Sequence, residues 1–427
     1  MLYKYLVIFF LLLSFNLYPQ LRIEINHGIK DPINIAVVPF DWKLPSPKKQ
    51  EFSEIIGKDL EFFGEFKVLN PEEMLSLPTS EEEVFYRDWK LLGSDFLVIG
   101  SVSSIKEETI NVYYSIFDVS RKKRIHQAII EGSMNSLSNL SHSISDRIYE
   151  KVNGIPGIFS TKIIYVQKSN QLEELYSLRI TDINGEKDSL LLSSKQPLLS
   201  PDWSPEGDKV AYVSFEEGTS GIYIQELATG KRLLLKREQG INSSPTWSPN
   251  GRYLAAVLSM EGNPDIFLYD LKKKVWKQLT THFGIDTEPA WSPNGKKLLF
   301  TSNRSGSPQI YEINLSTKKI RRRTFEGNYN ARARFLPDGR RFILVHRREG
   351  LFHIAIQNIR TSSLEILTDT WLDESPTVSP NGNLIIYATK KNDKGILAGI
   401  TVDGQTRFTL PSISGEVREP SWSPLFK

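Results

Sequence analysis

Trp203-Ser204-Pro205-Glu206-Gly207, Trp247-Ser248-Pro249-Asn250-Gly251 and Trp291-Ser292-Pro293-Asn294-Gly295 are three copies of one element, W-S-P-x-G. Two altered copies follow, Phe335-Leu336-Pro337-Asp338-Gly339 and Val378-Ser379-Pro380-Asn381-Gly382, and the truncated Trp422-Ser423-Pro424 ends the series. Successive first positions are 44, 44, 44, 43 and 44 residues apart. A period that constant marks a repeat architecture. Within each copy, Ser at i, Pro at i+1 and Gly at i+3 suit a type I β-turn, because Pro presets φ and Gly takes a backbone angle that other residues resist. Each copy is therefore expected to close a hairpin.

The residues around the turn supply the strands. In the third copy a short run ends at Trp291, and an alternating run over 297–301, another over 309–313 and a last one over 320–324 follow it. Four short strands per period of this length make a propeller blade. Between Trp203 and Trp422 the chain holds five complete periods. Three strand-like runs at 162–167, 175–180 and 188–192 lack a first strand, and residues 421–423 form a first strand with nothing behind it. The two remnants complement each other. The expectation is a six-bladed β-propeller over 156–427 whose last blade is closed by the C-terminal strand, a closure that removes exposed sheet edges.

Ahead of the propeller the repeat is absent. Residues 33–38 read as a buried strand, 50–63 and 80–92 as helices, 96–102 and 112–117 as strands, and 136–152 as an amphipathic helix with Leu137, Leu140, Ile144 and Ile148 on one face. This is a small α/β domain over 21–155, so the fold class is multidomain, α/β plus all-β. The breaker-rich Asn153-Gly154-Ile155-Pro156-Gly157 separates the two parts. Residues 1–20 carry one cation, Lys4, ahead of the apolar run 6–13. That is the pattern of a secretory signal peptide, and it is too short to span a bilayer.

Composition excludes several classes. The 427 residues include no cysteine, so disulfides, thiolate metal sites and Cys nucleophiles are excluded. The formal charge of +3 speaks against a nucleic-acid binder, and Arg321-Arg322-Arg323 reads as a solvated strand end. There is no G-x-S-x-G, no H-E-x-x-H and no P-loop. The histidines at 27, 126, 142, 282, 346 and 353 are scattered; His346 and His353 suit neighbouring strands, but two imidazoles are short of the three protein ligands usual for catalytic zinc. No catalytic, cofactor or metal residue is expected. The repeated tryptophans are expected to pack between blades rather than to stack on a ligand.

Loops alternate between the two faces of a four-stranded meander, so the loops entering each first strand share one face and converge on the channel mouth. That rim mixes Asp286, Glu288, Asn330, Arg332, Asp373, Glu374, Arg418 and Glu419 with Phe283, Tyr329 and Trp371. Polar groups around aromatic anchors suit a protein-binding patch.

Three of these stretches, 325–335 (F-E-G-N-Y-N-A-R-A-R-F), 367–379 (L-T-D-T-W-L-D-E-S-P-T-V-S) and 415–424 (G-E-V-R-E-P-S-W-S-P), resemble the TolB family, the periplasmic propeller component of the Tol-Pal system. Residues 32–40 (P-I-N-I-A-V-V-P-F) and 97–100 are similar to that family's first domain. The resemblance implies a non-enzymatic periplasmic adaptor, monomeric and free of cofactors, that reaches membranes only through protein partners. Those partners are the peptidoglycan-associated lipoprotein Pal, the C-terminal domain of TolA and further outer-membrane proteins. It assigns the Pal face to Glu288, within E-P-x-W, and to Arg332, Glu374, Arg418 and Glu419. It assigns the TolA segment to Leu21, Arg22, Ile23, Glu24 and Ile25, an alternating stretch suited to adding to a partner's sheet. The loop Gln239-Gly240-Ile241-Asn242 lacks the histidine that some relatives carry there. Two other readings remain at this stage: a periplasmic hydrolase or lyase with its site inside the channel, and a glycan-binding module using the rim aromatics.

Overall fold

The computed structural model describes residues 22–25, 31–44, 52–106, 108–169, 175–185, 187–260, 262–410 and 415–426. The signal pattern of residues 1–20, and Leu21, lie outside them.

Six antiparallel sheets form the ring. Their inner strands are Leu198–Trp203, Asn242–Trp247, Asp286–Trp291, Asn330–Phe335, Glu374–Val378 and Glu416–Trp422. In the first five blades each inner strand is followed outward by three more strands in sequence order. In the sixth, Glu416–Trp422 pairs antiparallel with Lys162–Lys168, Trp422 opposite Ile163, and the strands Tyr176–Asp182 and Asp188–Ser194 lie beyond. The blade is thus assembled from both ends of the propeller sequence.

The turn motif works through its side chains as well as its backbone. In the second blade the Gly251 N–H donates to the Ser248 carbonyl at 2.9 Å, with Gly251 at φ 67°. The Ser248 hydroxyl donates to Asn250 Oδ1 at 2.8 Å and accepts from the Tyr253 N–H at 2.8 Å. The same serine-to-asparagine bond recurs at Ser292 and Ser379. The tryptophans pack between blades as expected. Trp203, Trp247 and Trp422 are buried. The Trp203 indole donates to the Ser421 carbonyl of the preceding blade at 3.1 Å, and Trp291 donates to the Thr246 carbonyl at 3.2 Å.

In the N-terminal domain the strands Phe66–Val68, Ile33–Val37, Phe96–Lys106, Thr109–Asp118 and Lys123–Ser133 lie side by side in that order. The first three are parallel and the last two antiparallel. Helices Phe52–Glu61 and Leu137–Asn153 bury Ile56, Leu60, Ile144 and Ile148 in its core. The helix expected over 80–92 is a 3₁₀ turn, Glu81–Glu83, and a short helix, Tyr86–Leu91. Val84 and Phe85 between them are extended, which turns Val84 into the core beside Trp89. Lys123–Ser133 and Phe66–Val68 were not anticipated; each alternates too weakly to stand out from loop sequence.

The two parts share one continuous apolar cluster that joins Phe63, Ile148 and Phe159 to Leu384, Phe408 and Trp422. The rings of Phe63 and Phe159 stack at 5.6 Å, and Phe62 meets Phe408 edge-on at 5.4 Å. Gly154 ends helix Leu137–Asn153 in the left-handed conformation, its N–H bonded to the Glu150 carbonyl. Beyond it the Asp146 carboxylate accepts from the Phe159 N–H at 2.5 Å, from the Ser160 N–H at 3.2 Å and from the Ser160 hydroxyl. Gly157 packs so closely on the Asp146 backbone that a Cβ there would lie 2.3 Å from Asp146 Cα.

Two predictions follow from this packing. Trp422→Ala should cost about 3–5 kcal/mol, and the less buried Trp291 should cost less on the same change; equal losses in urea unfolding would mean that the closing strand is no more critical than the others. Burial pushes the Asp146 carboxyl up to about 6, against its hydrogen bonds. A carboxyl raised in the folded state binds its proton more tightly there than in the unfolded chain. Its contribution is therefore greatest below pH 4 and is lost as pH rises to 6, by about 3 kcal/mol in all. Asp146→Asn should remove that slope, read as the difference between the stability–pH curves of the variant and the natural chain.

Candidate protein-binding site at the channel mouth

Each inner strand carries one irregularity at the same place. The pairing register slips between Leu199 and Asp202, Ser243 and Thr246, Thr287 and Ala290, Ala331 and Arg334, Glu374 and Thr377, and Arg418 and Ser421. At these bulges Ser200, Ser244, Glu288, Arg332, Ser375 and Glu419 take φ of 51°, 48°, 55°, 53°, 52° and 52°. Residues other than Gly avoid this region, and bulges re-aim side chains. Each of the six stands three residues before the first position of its turn motif. Together with Asp202 and Arg334 they line a cavity of about 50 Å³ in the channel.

Charge inside that ring is locked by neighbours. Arg332 Nε lies 3.1 Å from Glu288 Oε1, its Nη2 lies 3.7 Å from Glu419 Oε1, and its Nη1 donates to the Ser375 hydroxyl. Glu288 Oε2 accepts from the Thr301 hydroxyl at 2.7 Å and from the Arg332 N–H at 2.9 Å. Glu419 likewise accepts from the Ser200 N–H of the next blade. Burial works against the Arg332 charge, yet Glu288, Glu419 and Glu374 hold its pKa above the ordinary value. Deeper in the channel, burial pushes the Asp202 carboxyl up to about 6 despite the Trp247 N–H that it accepts at 2.7 Å. Burial also lowers the pKa of Arg334, against the attraction of Asp202.

Of the rim residues singled out in the sequence, Glu288, Arg332 and Glu419 meet in this ring. Glu374 and Arg418 do not: each stands one residue ahead of the bulge. Glu374 is exposed above the ring, and its place inside is taken by Ser375. Arg418 is half-buried in the ladder opposite Val166, with a buried Nε that has no hydrogen-bond partner among the described residues. Sequence reading missed Ser200, Ser244, Ser375, Asp202 and Arg334. Counting back three and one positions from every motif copy finds all five.

Around the ring the entering loops expose Phe283 (87%), Trp371 (49%) and, unanticipated, Phe325 (66%). Tyr329 is half-buried, its ring 5.3 Å from that of Phe352. His346 and His353 face each other on neighbouring strands and are buried, and His346 Nδ1 lies 2.9 Å from Asn330 Oδ1. Among the described residues no three His, Asp or Glu side chains form a metal-binding group.

Away from the channel, Arg22–Ile25 forms a fifth, outermost strand on the fifth blade, antiparallel to Thr406–Thr409 with Arg22 opposite Thr409 and Ile25 opposite Thr406.

Comparison with known proteins agrees with this architecture. Residues 149–426 match the model of the TolB beta propeller domain, and residues 21–125 that of the TolB amino-terminal domain. The Tol-Pal system protein TolB of Marinomonas sp. is 55% identical over 410 residues, covering 96% of this chain and 95% of that protein. That of Alcanivorax borkumensis is 52% identical over 406 residues, covering 95% and 93%. The crystal structure of TolB from Acinetobacter baumannii superposes with a TM-score of 0.85 at 37% identity, covering 95% of this chain and 100% of that one. With both parts of the chain matched and the relatives covered almost end to end, the chain belongs to the TolB family, as a component of the Tol-Pal system and not an enzyme.

Proposed function

We propose that the protein is a periplasmic adaptor that binds the lipoprotein Pal at the channel mouth and the C-terminal domain of TolA through its N-terminal segment. In this role it serves envelope integrity and outer-membrane constriction in cell division. Residues 1–20 act as its export signal, residues 21–155 form its first domain and residues 156–427 its propeller. The observation that carries the reading is the rim: exposed Phe283, Phe325 and Trp371 surround a central ring of paired charges. Interfaces of this kind bind through a few aromatic and arginine anchors around which polar contacts set orientation. Membership of the Tol-Pal system implies protein partners.

Within that reading Glu288 positions rather than reaches out. Its carboxylate is occupied by Thr301 and Arg332, so it holds the Arg332 guanidinium and the left-handed backbone in place. Glu288→Ala should weaken Pal binding by about 1–3 kcal/mol through loss of that brace. Trp371→Ala should cost at least about 1 kcal/mol as a direct anchor. Calorimetric titration of the mature chain with Pal measures both, and unchanged dissociation constants in the two variants would move the interface elsewhere.

The pairing of Arg22–Ile25 with the fifth blade is one state of a switch, and release of the segment to TolA is the other. A strand held by backbone hydrogen bonds at a sheet edge can exchange one edge for another. If Pal biases that exchange, the coupling is reciprocal in free energy. Deleting residues 21–28 should therefore change the Pal affinity; equal affinities with and without the segment would remove the switch.

A further inference from the structure

Asp286, which the sequence places on the rim, is fully buried at the start of the third blade's inner strand. One side of its carboxylate is satisfied, because Arg304 Nη2 donates to Oδ2 at 2.6 Å. Oδ1 on the other side is buried and has no hydrogen-bond partner among the described residues. A buried carboxylate oxygen left without a donor is costly.

The repeat shows what is missing. Asn330 occupies the same position 44 residues later. Its Nδ2 donates to Gln309 Oε1 at 3.0 Å and to the Glu326 carbonyl at 2.8 Å. Its Oδ1 lies 2.9 Å from His346 Nδ1, and His346 is the counterpart of Ser302, which Arg304 Nε also bonds. One period before Asp286, Asn242 likewise donates from Nδ2 to the Glu238 carbonyl at 2.8 Å. At Asp286 the amide donor is gone while its acceptors remain. Asp265 stands in the place of Gln309, and its Oδ1 accepts from the Thr280 hydroxyl at 3.1 Å as Gln309 Oε1 accepts from Thr324 at 2.7 Å. The His282 carbonyl, counterpart of that of Glu326, accepts from Asn263 Nδ2 at 2.5 Å. Thr280 cannot serve Asp286 as well: its hydroxyl carries one hydrogen, and its oxygen already accepts the Ile266 N–H at 3.0 Å. Where the next blade boundary sets a donor against an acceptor, this one sets carboxylate against carboxylate.

The surrounding charges do not resolve the conflict. Arg304 is committed to Oδ2 and packs over the rings of Phe300 and Tyr311, so it offsets one carboxylate and not two. The His282 imidazole is engaged elsewhere, with Nδ1 accepting the Gly284 N–H at 2.9 Å and its ring lying on Phe283. Burial raises the Asp265 pKa and the Asp286 carboxylate raises it further, against hydrogen bonds from Thr280, the His282 N–H and Gln278. The loop over 280–285, which exposes Phe283 on the rim, is fastened at this spot: Thr280 bonds Asp265, and Asn263 Nδ2 holds the carbonyls of both His282 and Gly284.

We propose that Asp265 and Asp286 hold one proton between them, and that this acid–carboxylate pair is a latch for the rim loop 280–285, closed while the proton is present and loosened when it leaves. The shared proton rests on the packing alone; its effect on binding rests on the reading of the channel mouth as the Pal surface. A proton held more tightly in the folded state stabilises the latch at low pH, and that stabilisation is lost as pH rises through the raised value.

The test uses the full mature chain above neutral pH. An infrared band of a protonated carboxyl is expected to persist there and to disappear in both Asp265→Asn and Asp286→Asn, since either amide supplies the missing donor without a proton. The Pal dissociation constant of the natural chain should rise with pH by up to about tenfold per unit, the limit for one linked proton, and should rise less in both variants. His282, Arg304, Asp146 and Asp202 remain in the variants, so their own titration cancels in the comparison. Each variant reports the same proton, so one that folds suffices. A band absent from the natural chain, as a water bridging two ionised carboxylates would give, overturns the shared proton. A band present with the same pH dependence of Pal affinity in all three chains overturns the latch. Absence of Pal binding at every pH refutes the Pal reading alone, and the Ile285 N–H, bonded to Asn303 at 2.7 Å, then reads the latch by hydrogen exchange. Exchange that speeds up with pH no more in the natural chain than in the variants overturns it.

Discussion

The ladder between Glu416–Trp422 and Lys162–Lys168 is the constraint on which the rest depends. A blade buries both faces only when it has a neighbour on each side, so an open ring would expose the inner faces of the first and sixth blades together. The closing strand also reaches beyond its own blade. The Trp422 N–H donates to the Thr377 hydroxyl of the fifth blade, Ser421 accepts the Trp203 indole of the first, and Ser423 Oγ accepts the Lys162 N–H. Glu419 on the same strand completes the charged ring, touching Ser200 and Arg332. Ring closure and the candidate site are therefore one arrangement: the tail cannot leave without removing a carboxylate from Arg332.

The channel residues show how a repeat supplies geometry and breaks its own symmetry in chemistry. All six blades place a residue at φ near 50°, a cost that a regular strand would avoid. In three blades the residue is Ser, and in three it is Glu, Arg and Glu. The carboxylates of Glu288 and Glu419 accept the backbone N–H of the next blade's equivalent residue, so they stabilise the strained position that follows their own. The charges sit at fixed points of a ring whose backbone is the same all round. A binding partner meets a pattern determined by side chains alone.

The constant spacing of W-S-P-x-G made the blade number and the mode of closure readable, because turn chemistry is local and repeats amplify it. The tryptophans' place between blades followed from the same spacing. The bulge was not readable in that way. It occupies a single residue, carries no glycine, and is filled by Ser, Glu or Arg, so nothing in composition marks it. Of the residues that the resemblance assigns, Glu374 therefore stands one position ahead of the bulge residue Ser375, while Arg418 precedes Glu419, which is itself assigned and does occupy the bulge. In the first domain the failures were of another kind. Val84 interrupts a helical pattern because Trp89 and Phe117 need it in the core, a tertiary demand that local propensity does not contain. Strand Lys123–Ser133 depends on its partner Thr109–Asp118 rather than on a strong pattern of its own.

Strand Thr406–Thr409 joins the two ends of the molecule's organisation. On one edge it holds Arg22–Ile25, and on the other it pairs with Lys394–Thr401. Phe408 at its centre is buried, packs edge-on against Phe62 of the first domain, and lies over Gly399, where a Cβ would fall 2.0 Å from the ring. Only a residue without a side chain leaves room for that ring, so the strand's position and the domain contact are specified together. Phe408 lies opposite Ile23 in the ladder, so the segment docks on the very residue that packs against Phe62. An edge strand gains order from a partner on its open side, and pairing residues 22–25 there supports the strand from which the first domain is held. The N-terminal segment thus bears on the domain junction through backbone pairing with the strand whose Phe408 packs against Phe62 and Phe63.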